Sequence, residues 1–187
     1  HVGYDEHLRK LILLGKELEK EVHFHVDQKN SPEEKGTETL IEAVRWLGSP
    51  KNQKEPSVWA IHSISPSNYE ENRFIKMLEG LKEYNIGVIC CPKAAISMRQ
   101  LREIKTPTHN SIARVLEMLQ KEIEVRIGSD NIADVFVPTG TPDLYEEIRY
   151  LADAVRFYNP DVLAKLLTAT PLNNIDRLNI KRALEEG

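Results

Sequence analysis

The sequence predicts an α/β fold built on a parallel sheet, and three observations carry that prediction. Short apolar runs with strand periodicity alternate along the chain with longer stretches of helical periodicity. Parallel neighbours need a crossover of a dozen or more residues, and the intervals between the strand-like runs hold helix-like segments. At 187 residues, 41% hydrophobic and 29% charged, the chain has the size and balance of one folded domain and not of a disordered polymer.

The elements follow in order. From Tyr4 to Lys20 the apolar side chains Leu8, Leu11, Ile12, Leu14 and Leu18 define one helical stripe. Glu21 to Val26 alternates, so Val22, Phe24 and Val26 point one way and His23 and His25 the other. A helix over Glu38 to Leu47, a strand over Ser57 to His62, an amphipathic helix over Tyr69 to Tyr84 and an apolar strand over Ile86 to Cys91 come next. Asn110 to Gln120 is helical, Ile123 to Ile127 a strand, and two helices follow over Asp143 to Phe157 and Asp161 to Thr168. The segment from Pro92 to Pro107, with Met98, Arg99, Gln100 and Lys105, has no clean period and reads as a loop lining a site.

Composition narrows the function classes. The net charge is −4, with basic residues scattered and no stripe that would track phosphates, so nucleic acid is not an expected partner. Apolar runs fall far short of the ~18 residues that span a bilayer, and the N-terminus has no signal-peptide pattern, so a cytoplasmic location is expected. Cys90 and Cys91 are neighbours on a strand and face opposite ways, which excludes a disulfide between them and suggests two buried thiols.

Polar residues recur where strands end: His25 after the first, His62 after the second and Asp130 after the fourth, with His23 one pleat below His25. The carboxyl ends of parallel strands are where α/β proteins place their chemistry, because the sheet holds such groups rigidly. Two histidines at i and i+2 on a strand share a face about 7 Å apart, and an Asp carboxylate can complete a zinc or iron site. Taken singly, each His reads as a core or rim residue and Asp130, before Asn131, as a turn or cap. The set favours a site. Phosphate loops, an HExxH helix, a GxSxG elbow and the HxE with PCxxC pair of the nucleic-acid deaminases are all absent from the sequence. Asp143, Glu146 and Glu147 open a helix, where carboxylates suit the macrodipole.

The segments HFHVDQ, AIHSIS and VRIGSDNIADVFVPTGTPDLYEEIRYLADAVRFYNPDVLAKLLTATP carry a resemblance. They are similar to strands five, six and eight of amidohydrolase-superfamily barrels, above all the cytosine deaminases and N-isopropylammelide hydrolases. GSDN and the D-x-x-x-P-x-G after it are the most specific parts. The resemblance implies the C-terminal half, strands five to eight, of a TIM-type (β/α)8 barrel, spread over residues 1–187, with the N-terminal half and the family's β-sandwich absent. It implies one divalent metal ion, Zn or Fe. His25 matches the strand-five ligand, Asp130 the strand-eight carboxylate that binds metal and handles the proton of the attacking water, and His62 the strand-six His. The activity implied is hydrolysis of a C–N bond in a small heterocyclic substrate.

Two departures qualify this. Cytosine deaminases carry Glu three residues after the strand-five His; here it is Gln28, which can hydrogen-bond a ring but cannot exchange a proton. The triazine hydrolases also lack that Glu and place a His where His23 stands. Family members further have a strand-one HxH pair, and HFH is not it: only 105 positions separate His25 from Asp130, too few for seven βα units of roughly 30 residues. His23 is then a candidate third metal ligand within this chain. Gln28 and Phe136 are candidate substrate contacts, Trp59 a weaker stacking candidate beside a core reading, and Lys93 and Arg99 candidates for an anionic or carbonyl group beside a solvated-face reading. Gly140 to Pro142 reads as a turn. The alternative function is an incomplete, non-catalytic half-barrel that forms a homo-oligomer or docks to a complementary half.

Overall fold

Four parallel strands follow one another across a single sheet in the order β1 (Val22–Val26), β2 (Val58–His62), β3 (Ile86–Cys90) and β4 (Val125–Ile127). The computed structural model describes residues 2–50, 54–97 and 112–186. The register pairs His23 with Trp59 and His25 with Ile61, then Trp59 with Gly87, and Ile89 with Arg126. Alternation therefore sorts the side chains into two sets. Phe24, Val26, Val58, Ala60, Val88, Cys90, Val125 and Ile127 bury into the main core, against the helices. His23, His25, Trp59, Ile61, Gly87, Ile89 and Arg126 share the opposite face, where Ile61, Ile89, Cys91 and Ala94 form a small apolar cluster of their own.

Helices α1 (Val2–Leu18), α2 (Gly36–Leu47) and α3 (Glu71–Glu83) precede β1, β2 and β3, as the alternation predicts. The stripe of α1 is narrower than expected: Leu8 and Ile12 are fully buried, but Leu14 and Leu18 are 46% and 55% exposed. The sheet side of that last turn is Gly15, which lets the helix end approach Val22. A 3-10 turn (Ser65–Asn68) precedes α3, so Tyr69 lies outside the helix, buried, and donates its hydroxyl to the Glu34 carbonyl at 2.6 Å.

The segment after β3 is not a loop from the start. Pro92–Ser97 form a short helix, α4, with Pro92 in the first turn, where a missing N–H costs nothing. Met98, Arg99, Gln100 and Lys105 lie outside the described residues, as do Asn110 and Ser111; the helix expected from Asn110 is α5 (Val115–Gln120). Lys93 is neither a solvated residue nor a free cation. It is 7% exposed, with Nζ on Glu146 Oε1 at 2.9 Å and on the Thr139 carbonyl.

After β4 come α6 (Leu144–Val155), α7 (Pro160–Leu167) and α8 (Asn174–Glu186). Asp143 caps α6 by accepting the Tyr145 N–H at 2.8 Å, as its place before a helix suggests. Glu146 and Glu147 do more than face the dipole: Glu146 meets Lys93, and Glu147, 1% exposed, accepts the Lys93 N–H at 2.9 Å. The sequence reading missed α8 because it carries little apolar periodicity; of its residues only Asp176 and Ile180 are buried. Polar ties hold it instead, with Asn173 capping its first turn, Asp176 meeting Lys165 at 2.6 Å, and Arg177 reaching the Leu119 carbonyl at 2.6 Å.

Burial pushes the Glu147 carboxyl above its ordinary range, an effect the Lys93 N–H and ammonium only partly offset. A folded-state value raised above the unfolded one means stability that is present at low pH and is lost as pH rises through the folded value. Glu147→Gln keeps an acceptor for the Lys93 N–H and removes the buried charge. Its Tm is expected to match that of the parent near pH 4 and to exceed it by about 2–4 °C at neutral pH. Melts that diverge in the opposite sense would show that the charged form is the stabilising one.

Candidate active site

The strand ends supply the site, and backbone conformation aims it. His25 lies on the site face of β1 by strand parity. His62 follows Ile61, so parity alone would send it to the helix side. It does not go there, because His62 and Ser63 both take left-handed backbone, with φ of 77° and 47°. The imidazole instead lies across the strand end, with Nε2 at 3.0 Å from His25 Nδ1 and 3.7 Å from Asp130 Oδ2. Asp130, three residues beyond β4, is also left-handed at φ 56°.

The three groups form a cluster whose candidate ligand atoms all lie within 4.8 Å of one another. His62 is 1% exposed, and its Nδ1 finds no hydrogen-bond partner among the described residues. Burial drives its pKa well below the usual imidazole value; the Asp130 carboxylate pulls it back up and the His25 ring pushes it further down. His62 is therefore a neutral base at physiological pH. The 3.0 Å approach to His25 requires one ring nitrogen to carry a proton and the other a lone pair.

Two imidazole nitrogens and one carboxylate, converging at one end of a sheet, are a donor set suited to zinc or non-haem iron. The residues present fit a divalent metal. His23 is not among them. It lies two residues back along β1, 41% exposed, with Nε2 at 3.4 Å from Glu21 and its ring against Trp59. The third donor near His25 and Asp130 is His62, so the ligand role assigned to His23 is corrected by the geometry.

The loop after β4 explains the D-x-x-x-P-x-G pattern as architecture. Asp134 Oδ1 accepts the N–H groups of Phe136 and Val137, both at 2.9 Å, and its carboxyl group also takes the Asn131 amide at 2.5 Å. Gly140 packs where a Cβ would sit 2.3 Å from the Asn131 carbonyl, so no other residue fits without moving the backbone next to Asp130. The Gly140 to Pro142 stretch is thus part of this turn, and Lys93 pins it through Thr139.

The proposed substrate contacts fare differently. Gln28 is half-buried and shares with His25, Tyr4 and Thr39 an open cleft of about 720 Å³ at the end of β1. Phe136 is 79% exposed on the loop after Asp130. Trp59 is fully buried, one face under the Arg126 guanidinium at 4.2 Å and its Nε1 donated to Glu21 at 3.2 Å, which leaves no face for a heterocycle. One buried carboxylate escaped the sequence reading: Asp27, 4% exposed, accepts the N–H groups of Gly36 and Thr37 at 2.6 and 2.8 Å. Its partners lie nine and ten residues downstream, so no local capping pattern reveals it. Both cysteines are buried and free, and burial raises both thiols, Cys90 to about 12.

Solved structures share this arrangement of elements. The crystal structure of 5-methylcytosine deaminase from Klebsiella pneumoniae with 5-fluorocytosine superposes with a TM-score of 0.75 over 98% of this chain and 41% of that one, at 24% identity. The fold is therefore that of part of this enzyme: a four-stranded parallel sheet with its helices packed outside. The same enzyme with phosphonocytosine gives the same TM-score over 42% of its length. N-isopropylammelide isopropylaminohydrolase from Burkholderia multivorans ATCC 17616 matches at a TM-score of 0.67 and 16% identity, over 97% of this chain and 40% of that one. The chain thus spans about two-fifths of the length of these enzymes. Among curated proteins, an uncharacterized protein of Haemophilus influenzae is 32% identical over 97 residues, 52% of this chain and 33% of its own length. No protein-family model matches.

Proposed function

We propose that this half-barrel belongs to a metal-dependent hydrolase that cleaves a C–N bond of a cyclic amidine, by deamination or dealkylamination of a pyrimidine or triazine ring. The observation that carries the reading is the convergence of His25, His62 and Asp130 at the strand ends, with ligand atoms within 4.8 Å. The likeness to deaminase and aminohydrolase structures supports the same chemistry.

His25 and Asp130 would hold one divalent ion, Zn or Fe, which supplies Lewis acidity and makes water available as a nucleophile at neutral pH. Asp130 accepts the proton of the attacking water and returns it to the ring or to the departing amine as the C–N bond breaks. The His62 imidazole, neutral and within 3.7 Å of that carboxylate, orients it and can relay the second proton. Gln28 offers an amide that pairs with a ring edge and takes no part in proton transfer. Phe136 offers an aromatic face at the rim. A cytoplasmic location is part of the same proposal, and no helix among the described residues is long and apolar enough to cross a membrane.

The test uses the longest natural polypeptide that contains this chain. Metal analysis should find zinc or iron, and incubation with cytosine, 5-methylcytosine, ammelide and N-alkylated triazines should release ammonia or amine. Absence of both metal and turnover would retire the proposal.

A second reading rests on the sheet edges. Among the described residues β1 and β4 have no outer neighbour, and open edges recruit partners. On this reading the half-barrel forms a homo-oligomer or docks to a complementary half and has no activity alone. Light scattering that gives a monomer at every concentration counts against it.

A further inference from the structure

The orientation of His62 depends on the left-handed backbone of His62 and Ser63. Three consecutive contacts converge on that turn from the end of β1. The Ser63 N–H donates to the Val26 carbonyl at 3.2 Å, and the N–H groups of Ile64 and Ser65 both donate to the Asp27 carbonyl at 3.0 Å. Ser65 adds its hydroxyl to the same oxygen at 3.3 Å. On the other side, Thr37 Oγ1 meets Ser63 Oγ at 3.1 Å, and the Thr37 N–H is itself held by Asp27 Oδ2 at 2.8 Å. Thr37 and Ser63 are fully buried, so no water can substitute for either hydroxyl.

We propose that Asp27 is a positioning residue, which through Thr37 and through its own carbonyl fixes the His62–Ser63 turn and so brings the His62 imidazole against His25. Asp27 is itself left-handed at φ 55°, a conformation that Asp and Asn tolerate better than most residues. That conformation turns its carboxylate to the start of α2 while its carbonyl serves the end of β2. One residue thereby couples the ends of two neighbouring strands. The catalytic consequence rests on the hydrolase reading above; the geometric claim does not.

The experiment reads the two apart. In the metal-free natural polypeptide with labelled histidine, a nuclear Overhauser cross-peak between the His25 and His62 rings, whose centroids are 5.1 Å apart, reports the contact directly. Asp27→Asn keeps the size and the backbone tolerance but replaces one acceptor with a donor. Thr37→Val keeps the N–H that Asp27 holds and removes only the hydroxyl that reaches Ser63. Both are expected to weaken the cross-peak at least threefold and to lower kcat about tenfold with KM little changed. Asp143→Ala removes a helix cap away from the site and should leave the cross-peak intact.

A full-strength cross-peak in Thr37→Val or in folded Asp27→Asn overturns the proposal, and if Asp27→Asn does not fold, Thr37→Val decides alone. A lost cross-peak with unchanged kcat upholds the positioning role and removes His62 from catalysis. A parent polypeptide without turnover sinks the hydrolase reading, while the cross-peak comparison still settles this one.

Discussion

Asp130→Ala is expected to reduce bound metal to background and to lower turnover about 10³-fold, with the far-UV circular dichroism unchanged. The carboxylate is the only oxygen donor of the described cluster, and it lies 3.7 Å from the one neutral buried base nearby. Removing it takes away a ligand and a proton acceptor together. Asp130→Asn separates those roles. Asparagine suits the left-handed backbone at φ 56° and keeps an oxygen that can ligate, but its amide cannot accept a proton. It should retain a fraction of the metal and lose turnover nearly as severely. Metal analysis and product release on the same preparations give both readouts, and an Asp130→Ala protein with normal metal and activity would end the metallohydrolase proposal.

Gly87→Ala is expected to cost roughly 2–3 kcal/mol, or about 5–10 °C in Tm, although it adds a single methyl group. A Cβ at position 87 would sit 2.3 Å from Trp59 Cζ3 and 2.5 Å from Cε3. The indole cannot swing aside. It is fully buried, lies under Arg126 on one side, and is tethered through Nε1 to Glu21. The register places Trp59 and Gly87 directly opposite each other, so a large residue on β2 fits because its cross-strand neighbour on β3 has no side chain. A cycle with Trp59→Leu checks the cause. Trp59→Leu alone destabilises by leaving a cavity, but the new methyl partly fills that space, so the double variant should be more stable than the sum of the single losses. Strict additivity would mean that the clash is not the source of the effect.

Much of the site was legible from residue type and strand position. His25, His62 and Asp130 each stand where a strand gives way to a loop, and parallel strands bring their carboxyl ends to one side. Asp143 was readable as a carboxylate at a helix start, and the structure makes it the cap. The solvated-face reading of Lys93 failed, and Trp59 kept a stacking reading open beside the core reading that holds, because a charge beside a strand and an aromatic within one look alike whether they face solvent, a ligand or the core. Their partners Glu146 and Arg126 lie 53 and 67 positions away, beyond any local pattern. Helix α8 was invisible because a cap, the ion pair of Asp176 with Lys165 and the bond from Arg177 to the Leu119 carbonyl, rather than an apolar stripe, hold it in place.

By itself the sequence determined the parallel α/β architecture, since alternation of strand and helix periods leaves neighbouring strands no other way to connect, and it marked the strand ends at which His25, His62 and Asp130 gather. Only the tertiary structure decided the membership of the cluster. Strand parity favours His23 as the companion of His25 and turns His62 away, yet two residues in left-handed backbone at the end of β2 reverse that choice. Those two conformations are sustained by hydrogen bonds to the Val26 and Asp27 carbonyls and to the Thr37 hydroxyl, 26 to 38 positions upstream of the groups they hold. Contacts of that range exist only once β1, β2 and α2 have packed together, which is why periodicity could name the candidates and packing had to select among them.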